Sequence, residues 1–240
     1  KYLDNGSGKI LPGAALVGAG CGSYELITLK GLSEIRRAEV IVYDDLIDEH
    51  LLEFAPESCE LIYAGKRSGR HSKAQEEINE LLVEKALEGR YGEEALALKV
   101  HGIPVHEVPG VTSSIGLCGM AGIPVTHRGA SRGFHVITGH TADNLSPEVE
   151  EIRWKSYAKL DETFVFLMGL KSIDMITEKL MRYGKLSDTP VAVIHGENTD
   201  GTYVKLVGTL SDIAAKVKEV DFPSPAIIVV GEVASLELTD

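Results

Sequence analysis

Cysteine is scarce in this chain of 240 residues. Cys21, Cys59 and Cys118 are odd in number, far apart and without a CxxC pair. This spacing excludes a disulfide framework and offers no ligand set for structural zinc, so we expect no metal site. A few reduced thiols are typical of a cytoplasmic protein, which is the localisation we expect.

Positive charge and long apolar runs are also in short supply. Lys and Arg number 24 against 36 Asp and Glu, a formal net charge of −12. That balance argues against nucleic acid or an anionic membrane surface as the partner. No apolar run approaches the roughly 18–20 residues of a membrane-spanning helix, so we expect no membrane partner. The hydrophobic content of 44% instead indicates a globular protein with one large or two modest domains.

A glycine-rich turn follows the first apolar run. Residues 14–17 are apolar, Gly18, Gly20 and Gly22 follow, and helical spacing begins at Leu26. Strand, glycine turn and helix in this order bring backbone N–H groups close to a ligand, although a tight turn alone has the same pattern. The GxGxG spacing differs from the GxGxxG of dinucleotide-binding proteins, which argues against a nicotinamide-dependent dehydrogenase.

Two acids stand at the end of the next predicted strand. The β-branched run of residues 39–43 ends in Asp44 and Asp45, and ligands collect at the carboxyl ends of parallel strands. We expect one of the two acids to cap the helix predicted over residues 49–54, and a functional role stays open for the other.

Basic residues gather in two places on this acidic chain. Arginine side chains pair with carboxylates in two-pronged fashion, so both clusters are candidates for binding a carboxylate-rich or phosphorylated substrate. Solvated loops are the alternative. The first cluster contains Lys66, Arg67, Arg70, His71 and Lys73, and the second contains His127, Arg128, Arg132 and His135.

The alternation of strands and helices is interrupted after the helix predicted over residues 74–87. A strand should follow, yet residues 93–101 are again helical in pattern. A strand and its loop are therefore missing between Arg90 and Gly92, either because a segment was left out of the sequence or because of a true deletion.

The second half of the chain has a different texture, and residues 109–114 separate the two halves. Proline and glycine followed by hydroxyl residues stop a strand and begin a helix there. We therefore expect two α/β domains, residues 10–112 and 113–240. In the second, Trp154 is predicted to anchor packing, and Met168 on pattern alone is an ordinary core residue.

Several runs together resemble the tetrapyrrole methylases, and in particular the subgroup that methylates uroporphyrinogen III. The resemblance extends from Ala15 to Leu238, and GKRSGRHS and VPGVTSS followed by AGIPVTHR are specific to the subgroup. The other matching runs are VGAGCGSYELITLKGL, VIVYDDLI, GEEALAL, FHVITGH, FVFLMGL, TPVAVI and SPAIIVVGEV.

The resemblance implies two α/β domains of the tetrapyrrole methylase type, with the active site in the cleft between them, in a homodimer. The implied reaction moves two methyl groups from S-adenosylmethionine to uroporphyrinogen III, giving precorrin-2 for sirohaem or cobalamin and releasing S-adenosylhomocysteine. Alternatives are a methylase of a later corrin intermediate and a cofactor-binding homologue without activity.

The resemblance also assigns roles to particular residues. Asp44 would be the general base and Lys66 the proton donor. Contacts with the methyl donor are expected at Cys21, Thr112, Ser113, Met168 and Gly196. The basic clusters supply the expected substrate contacts, Arg67, Arg70, His127 and Arg128.

The chain departs from the family pattern in two places. The first loop of the family reads Gly-x-Gly-Pro-Gly-Asp-Pro, and here Cys21, Ser23 and Tyr24 stand at the Pro, Asp and Pro positions. The Gly-Gly-Asp-Pro loop of the family should lie between Arg90 and Gly92 and is absent from the sequence.

Overall fold

The computed structural model describes residues 13–64, 104–139, 146–196 and 203–236. Contacts within the chain divide it into two compact units. Unit 1 is formed by Lys1–Gly20 and Tyr24–Val111, and unit 2 by Cys21–Ser23 and Thr112–Asp240.

The described part of unit 1 contains four short strands, which pair in parallel as β1 with β4 and β2 with β3. In chain order its elements are β1 (Ala14–Val17), a 3-10 turn (Tyr24–Leu26), α1 (Leu29–Ile35), β2 (Val40–Tyr43), a 3-10 helix (Glu49–Phe54), β3 (Glu60–Tyr63) and β4 (Val105–Val108).

Local capping explains where the helices of unit 1 begin. Thr28 is the N-cap of α1, and its Oγ1 accepts a hydrogen bond from Gly31 N at 3.1 Å. The α-helix therefore begins at Leu29, three residues after Leu26, where the helical spacing begins.

The 3-10 helix Glu49–Phe54 is capped by an acid that the sequence analysis did not choose. Asp48 Oδ1 accepts a hydrogen bond from His50 N at 3.0 Å. The expectation that Asp44 or Asp45 caps this helix is wrong, because both precede it by more than the one-residue offset that an N-cap requires.

An apolar cavity of about 150 Å³ lies within unit 1. Its walls include Ala15 and Val17 of β1, Ile41 and Tyr43 of β2, and Asp44. The two strand pairs thus face a shared space rather than pairing with each other in the described residues. The interval Arg90–Gly92, where the alternation of elements lacks a strand, lies outside the described residues.

The described part of unit 2 contains a five-stranded mixed sheet in the order β5-β6-β9-β7-β8. β5 and β6 are parallel, and the other neighbours are antiparallel. The elements are α2 (Ser113–Met120), β5 (Phe134–Thr138), α3 (Pro147–Lys159), β6 (Thr163–Leu167), a 3-10 turn (Leu170–Ser172), α4 (Ile173–Arg182), β7 (Pro190–Gly196), β8 (Tyr203–Thr209), α5 (Ile213–Glu219), β9 (Ile227–Val230) and a 3-10 turn (Glu232–Ser235).

The central strands β6, β9 and β7 of the unit 2 sheet are buried on both faces, because helices cover each face. Alternate side chains of a strand point to opposite faces, and in β6 Phe164 and Phe166 join one core cluster while Val165 joins the other. Trp154 of α3 stacks on Phe166 with ring centroids 6.2 Å apart and is 5% exposed, which confirms its predicted role as a packing anchor. The helix α2 packs against the opposite face, on β6, β7 and β9.

The described residues thus form a mixed α/β fold, as the sequence predicts. Within the four described stretches, every helix is too short or too polar to span a membrane.

Candidate functional site

The glycine turn begins in unit 1 with a close approach of two backbone segments. Gly18 N donates a hydrogen bond to Val108 O at 2.9 Å. A Cβ on Gly18 would lie 2.4 Å from Gly110 N, which is closer than real Cβ atoms come. The ends of β1 and β4 can therefore meet only because neither residue has a side chain.

Within unit 2, the turn continues as a second backbone approach. Gly22 has a φ of +77°, and a Cβ on it would lie 3.1 Å from Gly196 Cα. A Cβ on Gly196 would lie 2.6 Å from Leu117 Cδ2 and 2.9 Å from Gly22 Cα. Two glycines from distant parts of the sequence thus meet at one leucine of α2.

The N-terminus of α2 is built from hydroxyl residues. Thr112 is the N-cap, and its Oγ1 accepts a hydrogen bond from Ser114 N at 3.4 Å. Thr112 Oγ1 also shares a hydrogen bond with Ser114 Oγ at 3.0 Å. This confirms the predicted N-cap cluster and leaves the half-buried Ser113 on the first turn of the helix.

Cys21 packs against the core cluster that contains Leu117 and Cys118. Burial raises the pKa of the Cys21 thiol, and a hydrogen bond with the Leu117 backbone only partly opposes this. Burial also raises the pKa of Cys118 to about 12. Both side chains are therefore neutral thiols near pH 7, suited to apolar contact and not to nucleophilic attack.

Met168 follows β6 directly and has a left-handed backbone conformation, with a φ of 54°. The side chain is 67% exposed, so the interpretation of Met168 as a core residue is wrong. A left-handed residue other than glycine costs roughly 1–2 kcal/mol, and such strain concentrates at functional sites. The next residue, Gly169, lies against Gly139, where a Cβ would be 2.4 Å from Gly169 Cα.

Asp44 stands at the carboxyl end of β2, as predicted, and borders the cavity of unit 1. Its Oδ1 accepts a hydrogen bond from Leu46 N at 2.9 Å, which closes a turn of the type that Asp favours. Asp44 is half-buried and the adjacent Asp45 is exposed. Asp44 therefore lines the cavity and is also partly accessible to solvent.

In the second basic cluster, some side chains are exposed and one is paired with an acid. His127 and Arg128 are exposed on a tight turn, in which His127 and Ser131 exchange two backbone hydrogen bonds of 3.0 Å. His135 is instead paired, with its Nε2 at 2.5 Å from Glu162 Oε2, so this ring nitrogen is already engaged within the protein. Lys66, Arg67 and Arg70 lie outside the described residues.

The family model for the Tetrapyrrole (Corrin/Porphyrin) Methylases matches residues 15–214 of the chain. The chain belongs to the tetrapyrrole methylase family. A relative in Methanocaldococcus jannaschii, named uroporphyrinogen-III C-methyltransferase, is 44% identical over 96% of this chain and 98% of its own length. A Methanosarcina barkeri relative, named S-adenosyl-L-methionine-dependent uroporphyrinogen III methyltransferase, is 43% identical over 92% of this chain and 91% of its own.

A solved member of the family is similar in structure as well. The uroporphyrin-III C-methyl transferase from Thermus thermophilus, complexed with S-adenyl homocysteine, superposes with a TM-score of 0.73. It is 31% identical and covers 93% of both chains.

In the present chain, several of the predicted methyl-donor contacts lie near one another in unit 2. Cys21 and Gly196 both approach α2, whose first turn carries Thr112 and Ser113. Met168 lies at the end of β6, one of the strands on which α2 packs.

Sequence reasoning missed two residues, Leu117 in unit 2 and Asp48 in unit 1. Leu117 contacts both glycines, and only helical spacing from Ser114 could have indicated that it faces the sheet. Asp48 is buried and binds the backbone where the glycine turn ends, and its position just before Glu49 and a run of apolar residues is an N-cap signal.

Proposed function

We propose that the chain is an S-adenosylmethionine-dependent methyltransferase that adds two methyl groups to uroporphyrinogen III. The products would be precorrin-2 and S-adenosylhomocysteine. The match to the M. jannaschii relative carries this proposal, because it is 44% identical and extends over nearly the whole of both chains.

The residues of unit 2 fit a methyl donor with a carboxylate, a nucleoside and an apolar surface. Thr112 and Ser113 stand where a helix N-terminus favours negative charge. The backbone of Gly196 lies against Gly22 and Leu117, and the Cys21 thiol is neutral and partly buried. We propose these four residues and Met168 as the contacts. When bound, S-adenosylmethionine supplies a methyl group on a positively charged sulfur, so the chain has no electrophile to generate.

The remaining chemistry is positioning and the handling of one proton for each methyl group. We propose that Asp44 is the general base. The carboxylate is half-buried and accepts a hydrogen bond from Leu46 N on Oδ1, and a carboxylate has two oxygens with which to accept hydrogen. Lys66, the proposed proton donor, lies outside the described residues.

The proposed substrate carries eight carboxylates around an apolar ring, so its recognition needs cations. His127 and Arg128 present theirs to solvent from a turn in unit 2. We propose these two residues, with Arg67 and Arg70 from the first basic cluster, as substrate contacts.

The experiment incubates purified protein anaerobically with uroporphyrinogen III and labelled S-adenosylmethionine. The Asp44→Ala variant is compared with Asp45→Ala, an adjacent and more exposed acid that serves as the matched control. We expect a loss of roughly 10²-fold or more in turnover for Asp44→Ala, a typical contribution of a general base, and near wild-type turnover for Asp45→Ala. Equal turnover of both variants would remove Asp44 from the catalytic role. Methylation of a later corrin intermediate but not of uroporphyrinogen III would replace the proposed substrate.

We further propose that the two compact units are the two domains of the enzyme and that it acts as a homodimer in the cytoplasm. Among the described residues, three cysteines are free thiols, which is consistent with a reducing compartment. Light scattering during gel filtration tests the oligomeric state, and a monomer at working concentration would contradict the dimer.

A further inference from the structure

Asp48 holds the end of the glycine turn in place. It is 5% exposed, and among the residues that the structure describes only Glu34 is a comparably buried acid. A buried carboxylate has lost most of its hydration, so its oxygens need donors from the protein.

The two oxygens of Asp48 have separate tasks. Oδ1 accepts from His50 N at 3.0 Å and lies 2.8 Å from His50 Nδ1, which caps the 3-10 helix Glu49–Phe54. Oδ2 accepts from Tyr24 N at 2.8 Å, across 24 residues of sequence. The second bond has no part in capping the helix, and hydrogen bonds to an ionised acceptor are roughly twice as strong as neutral ones.

Tyr24 is held by its ring as well as by its backbone. The ring centroid lies 5.7 Å from that of His50 and 6.1 Å from that of Phe54. Unit 1 thus fixes the residue that follows Cys21–Ser23, the segment assigned to unit 2. The hydrogen bond depends on the departure noted in the sequence, because a proline at this position would have no N–H to donate.

We propose that Asp48 is a positioning residue for the methyl-donor site, which acts by holding Tyr24 N and thereby the conformation of Cys21 and Gly22. The inference rests on the proposed function, since the donor is S-adenosylmethionine. Asp48 itself takes no part in the chemistry. Freed from this bond, the turn would sample other conformations, and part of the binding free energy would be used to order it again.

The test uses Asp48→Ser, because serine is also a favoured N-cap and retains the cap while its shorter side chain cannot reach Tyr24 N. Asp48→Asn is the second variant. Its single carbonyl oxygen can accept from only one of the two donors that Asp48 now satisfies with separate oxygens. Glu34→Gln is the matched control, because Glu34 is the other buried acid of the described residues and accepts its hydrogen bond from Arg37 Nε at 2.7 Å, away from the turn.

Calorimetry measures S-adenosylhomocysteine affinity for the full chain at a temperature where circular dichroism shows every variant folded. We expect both Asp48 variants to bind roughly tenfold more weakly, the size of a lost hydrogen bond to a charged group, and Glu34→Gln to bind like wild type. Hydrogen exchange of the peptide spanning residues 18–26 should also be faster in the Asp48 variants without ligand.

Wild-type affinity or unchanged exchange in the Asp48 variants would overturn the inference. So would an equal loss of affinity in Glu34→Gln. If the wild-type chain does not bind S-adenosylhomocysteine at all, the proposed function fails, and the exchange experiment still decides whether Asp48 holds the turn.

Discussion

At the scale of single residues, the contact between Gly22 and Gly196 is the most demanding feature of unit 2. The Gly196→Ala substitution would place a Cβ 2.6 Å from Leu117 Cδ2 and 2.9 Å from Gly22 Cα. We expect it to lower the free energy of unfolding by about 1–3 kcal/mol, as overpacking does, and to weaken S-adenosylhomocysteine binding.

The matched control is Gly119→Ala in α2, where a Cβ would meet nothing within 4 Å. We expect this variant to be as stable as wild type or more stable by up to roughly 1 kcal/mol, because alanine favours helix. Thermal unfolding and calorimetry decide both cases. A Gly196→Ala variant that unfolds and binds like wild type would show that the two backbone segments have room to separate.

Met168 permits a test of strain against function. We expect Met168→Gly to raise the free energy of unfolding by about 1 kcal/mol, because glycine adopts a φ of 54° without cost. That corresponds to roughly 2–4 °C in Tm for a chain of this size. We also expect weaker S-adenosylhomocysteine binding, since the exposed side chain is lost. A Met168→Gly variant that is less stable than wild type would show that the left-handed backbone of Met168 is not strained.

Features of single residues that depend on their sequence neighbours could be predicted from the sequence. Features that depend on residues far along the chain could not. The hydroxyl run ending at Ser114 predicted a helix start there, and the observed N-cap is Thr112, the first residue of the run. Such a signal is local because an N-cap bonds only within its own turn. The bond from Tyr24 N to Asp48 joins residues 24 apart, and the left-handed backbone of Met168 depends on the chain that surrounds it. Neither leaves a pattern in the neighbouring residues.

At the scale of elements, a ligand-binding role of the N-terminus of α2 can be distinguished from the stabilising effect that any helix cap has. Thr112→Ala and Thr28→Ala each remove the N-cap of a helix, α2 in unit 2 and α1 in unit 1. We expect each to lower the free energy of unfolding by about 1 kcal/mol. Only Thr112→Ala should weaken S-adenosylhomocysteine binding in calorimetry. Equal losses of affinity would mean that binding responds to stability alone.

The 3-10 helix Glu49–Phe54 should make stability depend on pH through His50. The hydrogen bond with Asp48 raises the pKa of His50, and the charge of Asp48 and of the neighbouring Glu53 and Glu49 adds to this. Protonated His50 therefore stabilises the fold below its ordinary pKa of about 6.5, and this contribution is lost as pH rises through the higher folded value.

Thermal unfolding of wild type and His50→Gln from about pH 5.5 to about pH 8.5 measures this contribution. We expect wild type to exceed the variant in Tm at the acidic end and the difference to shrink as pH rises. A difference that is constant or grows with pH would contradict the direction of the shift.

Element types followed from sequence more closely than element pairing did. The apolar run of residues 14–17 has the bounds observed for β1, and the β-branched run of residues 39–43 predicts β2 to within one residue. The order β5-β6-β9-β7-β8 was not predicted, because the strands β6 and β9 are buried on both faces and their side chains carry no periodicity that selects a neighbour.

At the scale of the whole molecule, acidic residues outnumber basic ones, 36 against 24. With a net charge of −12, a carboxylate-rich substrate is repelled by the protein in general. Binding would then depend on local cations such as His127 and Arg128. We expect His127→Ala with Arg128→Ala to raise the KM for uroporphyrinogen III at least several-fold while S-adenosylhomocysteine affinity stays unchanged. An unchanged KM would contradict this role of the turn.

The most direct test of the account is the mass of the product formed anaerobically from uroporphyrinogen III and S-adenosylmethionine by the full chain. The account predicts a product with two added methyl groups, one S-adenosylhomocysteine released for each, and a singly methylated intermediate at early times. Tight S-adenosylhomocysteine binding with no methylated tetrapyrrole at any time would contradict it.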